Sequence, residues 1–349
     1  MMDIYALLMQ VVSRKGSDLH LSPNNPPLVR IDGEIEELGE EFVTHEMNLN
    51  ILATIYKGFN ATVFEEKKEL DFSMSAAEAR FRVNAFLNAS SISLVFRTIP
   101  SKVLSLEELN PPKEILETFK KLCNMNKGLV LVTGMTGSGK STTLAAMIDY
   151  INSTRKEHIL TIEDPVEFVH ERKKCLISQR EVGRDTNSFQ NALRASLRED
   201  PDIILVGELR DLETIRLALT AAETGHLVFG TLHTTSAAKT VDRIIDVFPT
   251  EEKDMIRTMI AESMNAVISQ NLIRRIGGGR VAAHEIMICN SAIKNLIREN
   301  KVAQMYSAIQ TGANYGMTTL DQSLKTLVSK GVISPQTART VAKQPESFL

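Results

Sequence analysis

A glycine-rich stretch carries the clearest chemistry in this sequence. It follows the apolar run Leu129–Thr133 and reads Gly134-Met135-Thr136-Gly137-Ser138-Gly139-Lys140-Ser141-Thr142. The stretch matches the pattern G-x-x-x-x-G-K-[ST] at every fixed position, and a helical pattern follows it. Glycines let backbone N–H groups converge on phosphate oxygens, and the helix amino terminus adds partial positive charge. We expect this phosphate-binding loop, or P-loop, to place Lys140 at nucleotide β- and γ-phosphates and Ser141 on Mg²⁺. The alternative, a glycine turn that binds nothing, is disfavoured by the flanking patterns.

Carboxylates end two further apolar runs. His158–Ile162 leads into Glu163, and Ile203–Val206 leads into Gly207 and Glu208. Open α/β sheets bind ligands at the carboxyl ends of their strands, so Glu163 is a candidate general base for an attacking water. An ordinary acidic turn is the alternative. Glu208 completes a Walker B pattern, with Gly207 where many P-loop proteins carry Asp, and is predicted to serve the Mg²⁺ shell through water.

Two histidines, His226 and His233, enclose another strand pattern, Leu227–Leu232. A lone histidine is usually structural, but a pair beside a nucleotide site favours a role. We predict that both sense the γ-phosphate and that neither is the base. Metal binding is disfavoured because no further cysteine or carboxylate ligands lie nearby in the sequence.

After the P-loop, strand and helix patterns alternate, which predicts a mainly parallel sheet covered on both faces. Later segments predict a helix at Ser188–Glu199, a long amphipathic helix at Ile256–Leu272 and a strand at Val281–Ile288. The three glycines at 277–279 predict a loop, because no strand precedes them and no Lys-Ser follows. Ala292–Glu299 predicts a helix with Lys294 and Arg298 on one edge.

Before the P-loop, the patterns predict a small α+β domain. They indicate a helix near Ile4–Val12, a helical stretch at 48–66 and strands near 70–73, 79–86 and 91–99. We place this domain at residues 1–98, a linker at 99–112 and the nucleotide-binding domain at 113–349. Two arginines in its strands, Arg82 and Arg97, are candidate functional residues, although strand arginines that face water are the ordinary interpretation.

Composition excludes several classes of protein. The 349 residues carry a formal net charge of −3, no tryptophan and three cysteines. A general basic bias and a set of base-stacking aromatics are both absent from the sequence, so nucleic acid is not an expected partner. The cysteines are far apart and predict inert thiols in a reducing compartment. No apolar run approaches the length of a membrane span, so we expect a cytoplasmic protein without direct membrane insertion.

These motifs together resemble the ATPases of type II secretion and type IV pili. The resemblance rests on the P-loop, the acidic box Leu160–Pro165, the Val206-Gly207-Glu208 pattern and the histidine pair, and it runs from Ser17 onward. It implies an α/β fold, with a RecA-like P-loop ATPase domain preceded by a PAS-like α+β domain, assembled as a homohexamer. It further implies that Glu163 is the base and that Arg82 and Arg97 approach nucleotide across the interdomain cleft.

The segment Ala292–Glu299 resembles a signature of the type IV pilus retraction ATPases, with Lys294 where that family usually has Arg. The resemblance therefore implies a hexameric motor that hydrolyses ATP with Mg²⁺ to power pilus retraction and twitching motility. It also implies an inner-membrane pilus platform protein as partner and a location at the pilus base. Three alternatives stay open: an assembly ATPase of pili or type II secretion, a RecA-like nucleic-acid translocase, and a scaffold that binds ATP without turnover.

Overall fold

The computed structural model describes residues 2–31, 33–57, 60–99 and 102–348, with the side chain of Val63 left out. The chain divides into two compact units. The first unit runs to Lys102 and also includes 164–169, and the second comprises 103–163 with the chain from 170 onward. The predicted linker at 99–112 contains Pro100 and Ser101, which lie outside the described residues.

The first unit is built on a six-stranded antiparallel sheet with the order β3-β2-β1-β6-β5-β4. Its elements are α1 (Ile4–Ser13), β1 (Asp18–Leu21), β2 (Leu28–Ile31), β3 (Glu34–Glu37), α2 (His45–Ile55), α3 (Ala61–Lys67), β4 (Glu69–Ala76), β5 (Ala79–Asn88) and β6 (Ser91–Ile99). The apolar face of α1 packs with alternate strand residues such as Val83 and Phe96, which are fully buried. The helical stretch predicted at 48–66 spans parts of α2 and α3 and includes Gly58 and Phe59, which lie outside the described residues.

The second unit contains a seven-stranded sheet with the order β13-β12-β7-β11-β10-β8-β9. Its strands are β7 (Gly128–Thr133), β8 (His158–Glu163), β9 (Leu176–Glu181), β10 (Ile203–Val206), β11 (Leu227–Leu232), β12 (Met264–Arg274) and β13 (Arg280–Ile288). Among the described strands of this sheet, all neighbours pair in parallel except β12 with β13. Its helices are α4 (Lys113–Cys123), α5 (Lys140–Thr154), α6 (Phe189–Ser196), α7 (Leu212–Glu223), α8 (Ala237–Asp246), α9 (Lys253–Ser263), α10 (Ser291–Arg298), α11 (Met305–Thr311), α12 (Leu320–Ser329) and α13 (Pro335–Arg339).

Separate apolar clusters cover the two faces of this sheet. One includes Phe119 and Ile148 of α4 and α5, and the other includes Leu219 and Ile260 of α7 and α9. Strands buried on both faces read as continuous apolar runs, as β7, β10 and β11 do. The predicted α/β fold with a parallel sheet is confirmed. No described helix is long and apolar enough to cross a membrane.

The long helix predicted at Ile256–Leu272 is wrong. Helix α9 ends at Ser263, and Met264 begins β12, which pairs with β7 on one side and with β13 on the other. The segment is apolar enough to satisfy either pattern, and strand pairing on both sides decides the outcome. Tertiary contacts of this kind routinely override local propensity.

The segment 164–169 also departs from the predicted division, which placed it in the nucleotide-binding domain. The structure groups it with the first unit. There the Nε of Arg80 donates to the Val166 carbonyl at 2.9 Å. Asp164 and Glu167 lie near Arg82 and help to raise the pKa of its guanidinium, after the larger contribution of Asp71.

Candidate nucleotide-binding site

The predicted site residues of the second unit, with the exception of His226, meet at the carboxyl edge of the seven-stranded sheet. The neighbouring strands β7, β11, β10 and β8 are followed or ended there by Gly134, His233, Gly207 with Glu208, and Glu163. Backbone bonds join these ends, because Gly134 N donates to Leu232 O at 3.3 Å and Gly207 N donates to Ile162 O at 2.8 Å. Four segments that are distant in sequence therefore form one continuous edge.

The P-loop leaves the start of α5 open to an anion. Gly139 precedes the first helical residue with φ +86°, and no side chain caps the helix. A Cβ on Gly134, at φ +144°, would lie 2.4 Å from the Gln270 carbonyl oxygen, so only glycine fits there. Helix starts carry unpaired N–H groups and partial positive charge, which phosphate oxygens satisfy.

Further polar groups of the loop suit a phosphate. The Lys140 ammonium is largely buried and donates to the carbonyls of Gly134 at 2.9 Å and Met135 at 3.1 Å. The Ser138 hydroxyl is buried without a hydrogen-bond partner in the structure. Buried polar groups are normally satisfied, so an orphaned hydroxyl inside a phosphate-binding loop is a natural contact for a ligand oxygen.

Two neighbouring side chains hold the carboxylate of Glu163 in place. Its Oε1 accepts hydrogen bonds from Thr161 Oγ1 at 2.7 Å and from Gln179 Nε2 at 3.3 Å. Such contacts orient a carboxylate, which is what a general base needs in order to address one water. Its role as base stays a prediction.

Glu208 is anionic and already bears two partners. It pairs with Arg210 at 2.7 Å, and its Oε1 lies 3.0 Å from Nε2 of His233. Burial alone would raise the pKa of the Glu208 carboxyl. The hydrogen bond and charge of Arg210, with the charges of His233 and Lys140, outweigh burial and hold this pKa below its ordinary value.

The residues present fit a Mg²⁺ ion that is bound mainly through phosphate and water. No group of three or more His, Cys, Asp or Glu side chains in the described part of the chain can hold a metal. Mg²⁺ usually takes one or two protein ligands in addition to nucleotide oxygens. Ser141, in the first turn of α5, and the anionic Glu208 match that requirement.

Gly207 has a steric reason to replace the more usual acid. A Cβ at this position would lie 3.2 Å from the Ile162 carbonyl oxygen and 3.3 Å from the Glu163 Cα. Strand β8 therefore approaches β10 too closely for a larger residue to fit easily. The nearest acid is at the next position, Glu208, whose role at Mg²⁺ stays a prediction.

The structure places His226 at the opposite edge of the sheet from the P-loop of the same chain, and its role as a γ-phosphate sensor stays a prediction. His226 precedes β11, and the six residues Leu227–Leu232 separate it from His233 at the other end. At about 3.3 Å per residue, the strand places the two rings roughly 20 Å apart. His226 lies at the amino edge, where its Nδ1 is 3.0 Å from the Ala221 carbonyl oxygen.

Arg82 and Arg97 lie in the first unit, where the structure places them side by side. They are direct cross-strand partners in β5 and β6. Each has a carboxylate partner: Arg82 Nε contacts both oxygens of Asp71 at 3.1 and 3.0 Å, and Arg97 Nε donates to Asp18 at 2.9 Å. Although burial opposes it, Arg97 together with Ser17 lowers the pKa of Asp18. Their approach to nucleotide stays a prediction.

Sequence reasoning missed Gln270, which ties β12 to the P-loop. Its side chain is 2% exposed, donates to Ser138 O at 2.7 Å and accepts from Thr143 Oγ1 at 2.8 Å. The available signal was a long polar amide that follows the apolar run Ala266–Ile268. That signal was lost because the segment was predicted to be a helix. Sequence reasoning likewise assigned no role to Arg210, which pairs with Glu208.

A cavity of about 430 Å³ adjoins the P-loop at Gly139, Thr142 and Thr143. Its remaining lining is largely apolar with several basic side chains, and includes Leu104, Leu109, Phe119, Leu272, Val332, Lys113, Arg275, Arg280 and Lys330. Ligand pockets commonly have this volume and this mixture of apolar walls with a few polar groups. The cavity fits the nucleoside part of a nucleotide whose phosphates lie on the P-loop.

The fold and the site together define a P-loop ATPase. A family model described as "Type II/IV secretion system protein" matches residues 2–278, and the chain belongs to this family. Among curated proteins, the chain is 62% identical over 348 residues to the type IV pilus retraction ATPase PilT of Pseudomonas aeruginosa PAO1, covering 99% of this chain and 100% of PilT. It is 57% identical over 324 residues to a twitching motility protein of Neisseria gonorrhoeae, covering 92% of this chain and 86% of that protein.

The solved structures that are similar to this one also include a pilus retraction motor. A crystal structure of the pilus retraction motor PilT with bound ADP superposes with a TM-score of 0.90 and 43% identity, covering 99% of both chains. The ATPase DotB of Legionella pneumophila follows with a TM-score of 0.84 and 30% identity, covering 96% of this chain and 93% of that one.

Proposed function

We propose that this chain is the ATP-driven motor that retracts type IV pili and so powers twitching motility. The observation that carries the proposal is 62% identity to a retraction ATPase over 348 residues. The P-loop, Glu163, Glu208 and His233 at one sheet edge support it, because family membership alone leaves turnover unassigned. In this proposal, ATP hydrolysis powers the removal of pilin subunits, and this removal retracts the pilus.

The site residues divide the chemistry among them. The P-loop N–H groups and Lys140 bind the phosphates, while the adjoining cavity holds the nucleoside. Ser141 and Glu208 would hold a Mg²⁺ ion, Glu208 through water, and the ion would neutralise phosphate charge. Glu163 accepts the proton of the attacking water. His233 reports the γ-phosphate, since its ring already contacts the Glu208 carboxylate at 3.0 Å.

We further propose a homohexamer that works on the cytoplasmic side of the inner membrane with a pilus platform protein. In that ring, Arg82 and Arg97 supply positive charge to the transferring phosphoryl group. Charge supplied by a neighbour at this position is worth roughly three to five decades in rate. Mixing Arg97→Ala with Glu163→Gln subunits tests action in trans, because some mixed interfaces regain both groups. Mixtures that exchange subunits yet recover no turnover would reject it.

Pilus imaging tests the function directly. A deletion strain is complemented with the wild-type gene, with Lys140→Ala or with Lys127→Ala, which changes an exposed lysine just before β7. We expect excess surface pili and no twitching in the deletion and with Lys140→Ala, and normal behaviour with Lys127→Ala. Bald cells in the deletion would instead indicate an assembly ATPase.

Purified protein separates the remaining alternatives. We expect ATP turnover that is unchanged by single-stranded DNA. Strong stimulation by DNA would favour a nucleic-acid translocase, and tight ATP binding without turnover in the assembled state would favour a scaffold.

A further inference from the structure

One buried carboxylate contacts two parts of the chain: the segment that follows His233 and the segment that contains Lys343. Glu285, on β13, is 2% exposed. Its Oε1 accepts a hydrogen bond from Ala237 N at 2.9 Å, and its Oε2 accepts one from Lys343 Nζ at 2.6 Å. One side chain therefore bridges two segments that are distant in the sequence.

The first of these segments carries His233. Strand β11 ends at Leu232 and α8 begins at Ala237, so His233 lies in the short connection between them. Glu285 holds the far end of that connection by the first N–H group of α8. An anion at this position also complements the partial positive charge of the helix start. The contact restricts where the connection lies and therefore where the His233 ring can reach.

The second segment is anchored so that Lys343 meets Glu285. The backbone N–H groups of Lys343 and Gln344 donate to the buried Asp321 carboxylate at 2.8 and 2.9 Å. The Lys343 ammonium also lies 4.6 Å from the centroid of the Tyr306 ring. These contacts fix the direction of the lysine, and a buried carboxylate such as Glu285 requires a compensating cation.

We propose that Glu285 is a positioning residue for His233 and that Lys343 maintains it in this position. The carboxyl-terminal segment thereby sets the geometry at the γ-phosphate end of the site. This inference rests on the proposed role of His233 in hydrolysis. Neither Glu285 nor Lys343 is assigned a contact with nucleotide.

The experiment compares Lys343→Met, Lys343→Arg, Glu285→Gln and Lys325→Met in the full-length protein. Lys325→Met is the matched control, since Lys325 lies on α12 and its ammonium faces Phe348 instead of Glu285. We expect Lys343→Met and Glu285→Gln to lower kcat about tenfold, because displacement of a group at the site is costly in rate. Binding of a fluorescent ATP analogue should be unchanged. Lys343→Arg and Lys325→Met should retain turnover.

A double-mutant cycle separates positioning from general stabilisation. Introduced into His233→Gln protein, Lys343→Met and Glu285→Gln should cause little further loss, since the ring that they position is gone. An equal loss in both backgrounds, or a loss of nucleotide binding, would overturn the inference. Full turnover in Lys343→Met would overturn it as well. Because Lys343 is partly exposed, this variant tests the inference even if Glu285→Gln does not fold.

The single variant His233→Gln distinguishes this inference from the function beneath it. If His233→Gln hydrolyses ATP at the wild-type rate, the proposed role of His233 fails and the inference falls with it. If His233→Gln is slow while Lys343→Met is normal, only the inference fails.

Discussion

The two edges of the seven-stranded sheet bear charged residues of different kinds. The carboxyl edge carries the P-loop, Glu163, Glu208 and His233, and α5 starts there without a side-chain cap. The amino edge carries His226 together with the α9–α10 pair. Helix α9 leads into Met264, which pairs with Leu129 near the start of β7, and the antiparallel β13 ends at the same edge before α10.

At the amino edge, the charged side chains contact one another at the protein surface. Lys294 Nζ donates to the Glu262 carbonyl at 3.4 Å, and Arg298 forms an ion pair with the Glu262 carboxylate. Arg298 lowers the pKa of that carboxyl, and Lys294 adds to the effect. The start of α10 at this edge is capped, because the Asn290 side chain accepts a hydrogen bond from Ile293 N at 3.0 Å. The comparison predicts that hydrolysis depends on the carboxyl edge and surface coupling on the amino edge, so variants should separate them.

Lys140→Ala should have the largest effect, because it removes the phosphate-binding ammonium from the carboxyl edge. We expect hydrolysis to be abolished and ATP binding to weaken. Lys127→Ala, at the amino edge of the same strand, is the control and should retain turnover within about twofold. Steady-state ATPase assays and titration with a fluorescent nucleotide measure both quantities. Equal losses in the two variants would remove the distinction between the edges.

Glu163→Gln should keep the pocket and lose the base. The amide is isosteric but accepts no proton, so we expect ATP binding to persist while turnover falls by about two to four decades. Its amino-edge counterpart is Glu157→Gln, immediately before β8, where the carboxylate pairs with Arg155. This control should hydrolyse ATP normally. Near-normal turnover in Glu163→Gln would reject the assignment of the base.

Local motifs made much of the carboxyl edge predictable from sequence. The P-loop and the acids after β8 and β10 are each contained in a few consecutive residues, and parallel strands bring such ends together. In contrast, Gln270 reaches the P-loop only through pairing of β12 with β7, a contact between segments far apart in the chain. A single-sequence pattern contains no direct record of that pairing.

The places where the structure departs from the sequence-based expectations have the same physical origin. Residues 264–272 suit a helix or a strand by composition, and neighbours on both sides select the strand. His226 looked equivalent to His233 because the two enclose one short strand, although a strand directs its two ends to opposite edges. Residues 164–169 directly follow β8 in sequence but group with the first unit. In each case the deciding information is spatial.

His233→Gln and His226→Gln provide the sharpest test of edge polarity, since the residue type and the change are identical. We expect His233→Gln to lower kcat by about one to two decades, because it loses the ring that contacts Glu208. His226→Gln loses a contact with the Ala221 carbonyl and should retain turnover within about twofold. Turnover is measured in assembled protein of confirmed size. A larger loss for His226→Gln than for His233→Gln would reverse the functional order of the edges.

The smallest effect on turnover is expected at the amino edge, where Lys294→Gln and Arg298→Gln are combined. Ile293 and Ile297 on the same helix are fully buried and remain unchanged, so the fold should be retained. The substitutions remove two positive charges, one half-buried and one exposed, which suit a coupling surface for the pilus machinery. We therefore expect a hexamer with normal ATP hydrolysis in cells that lose twitching and accumulate pili.

Glu262→Gln is the matched control, because it removes the shared acidic partner and keeps both basic charges. Retraction should survive in that control. Loss of retraction in Glu262→Gln as well would indicate that the α9–α10 contact matters instead of the charges, while normal retraction in the double variant at normal protein level would make this edge an ordinary solvated helix face.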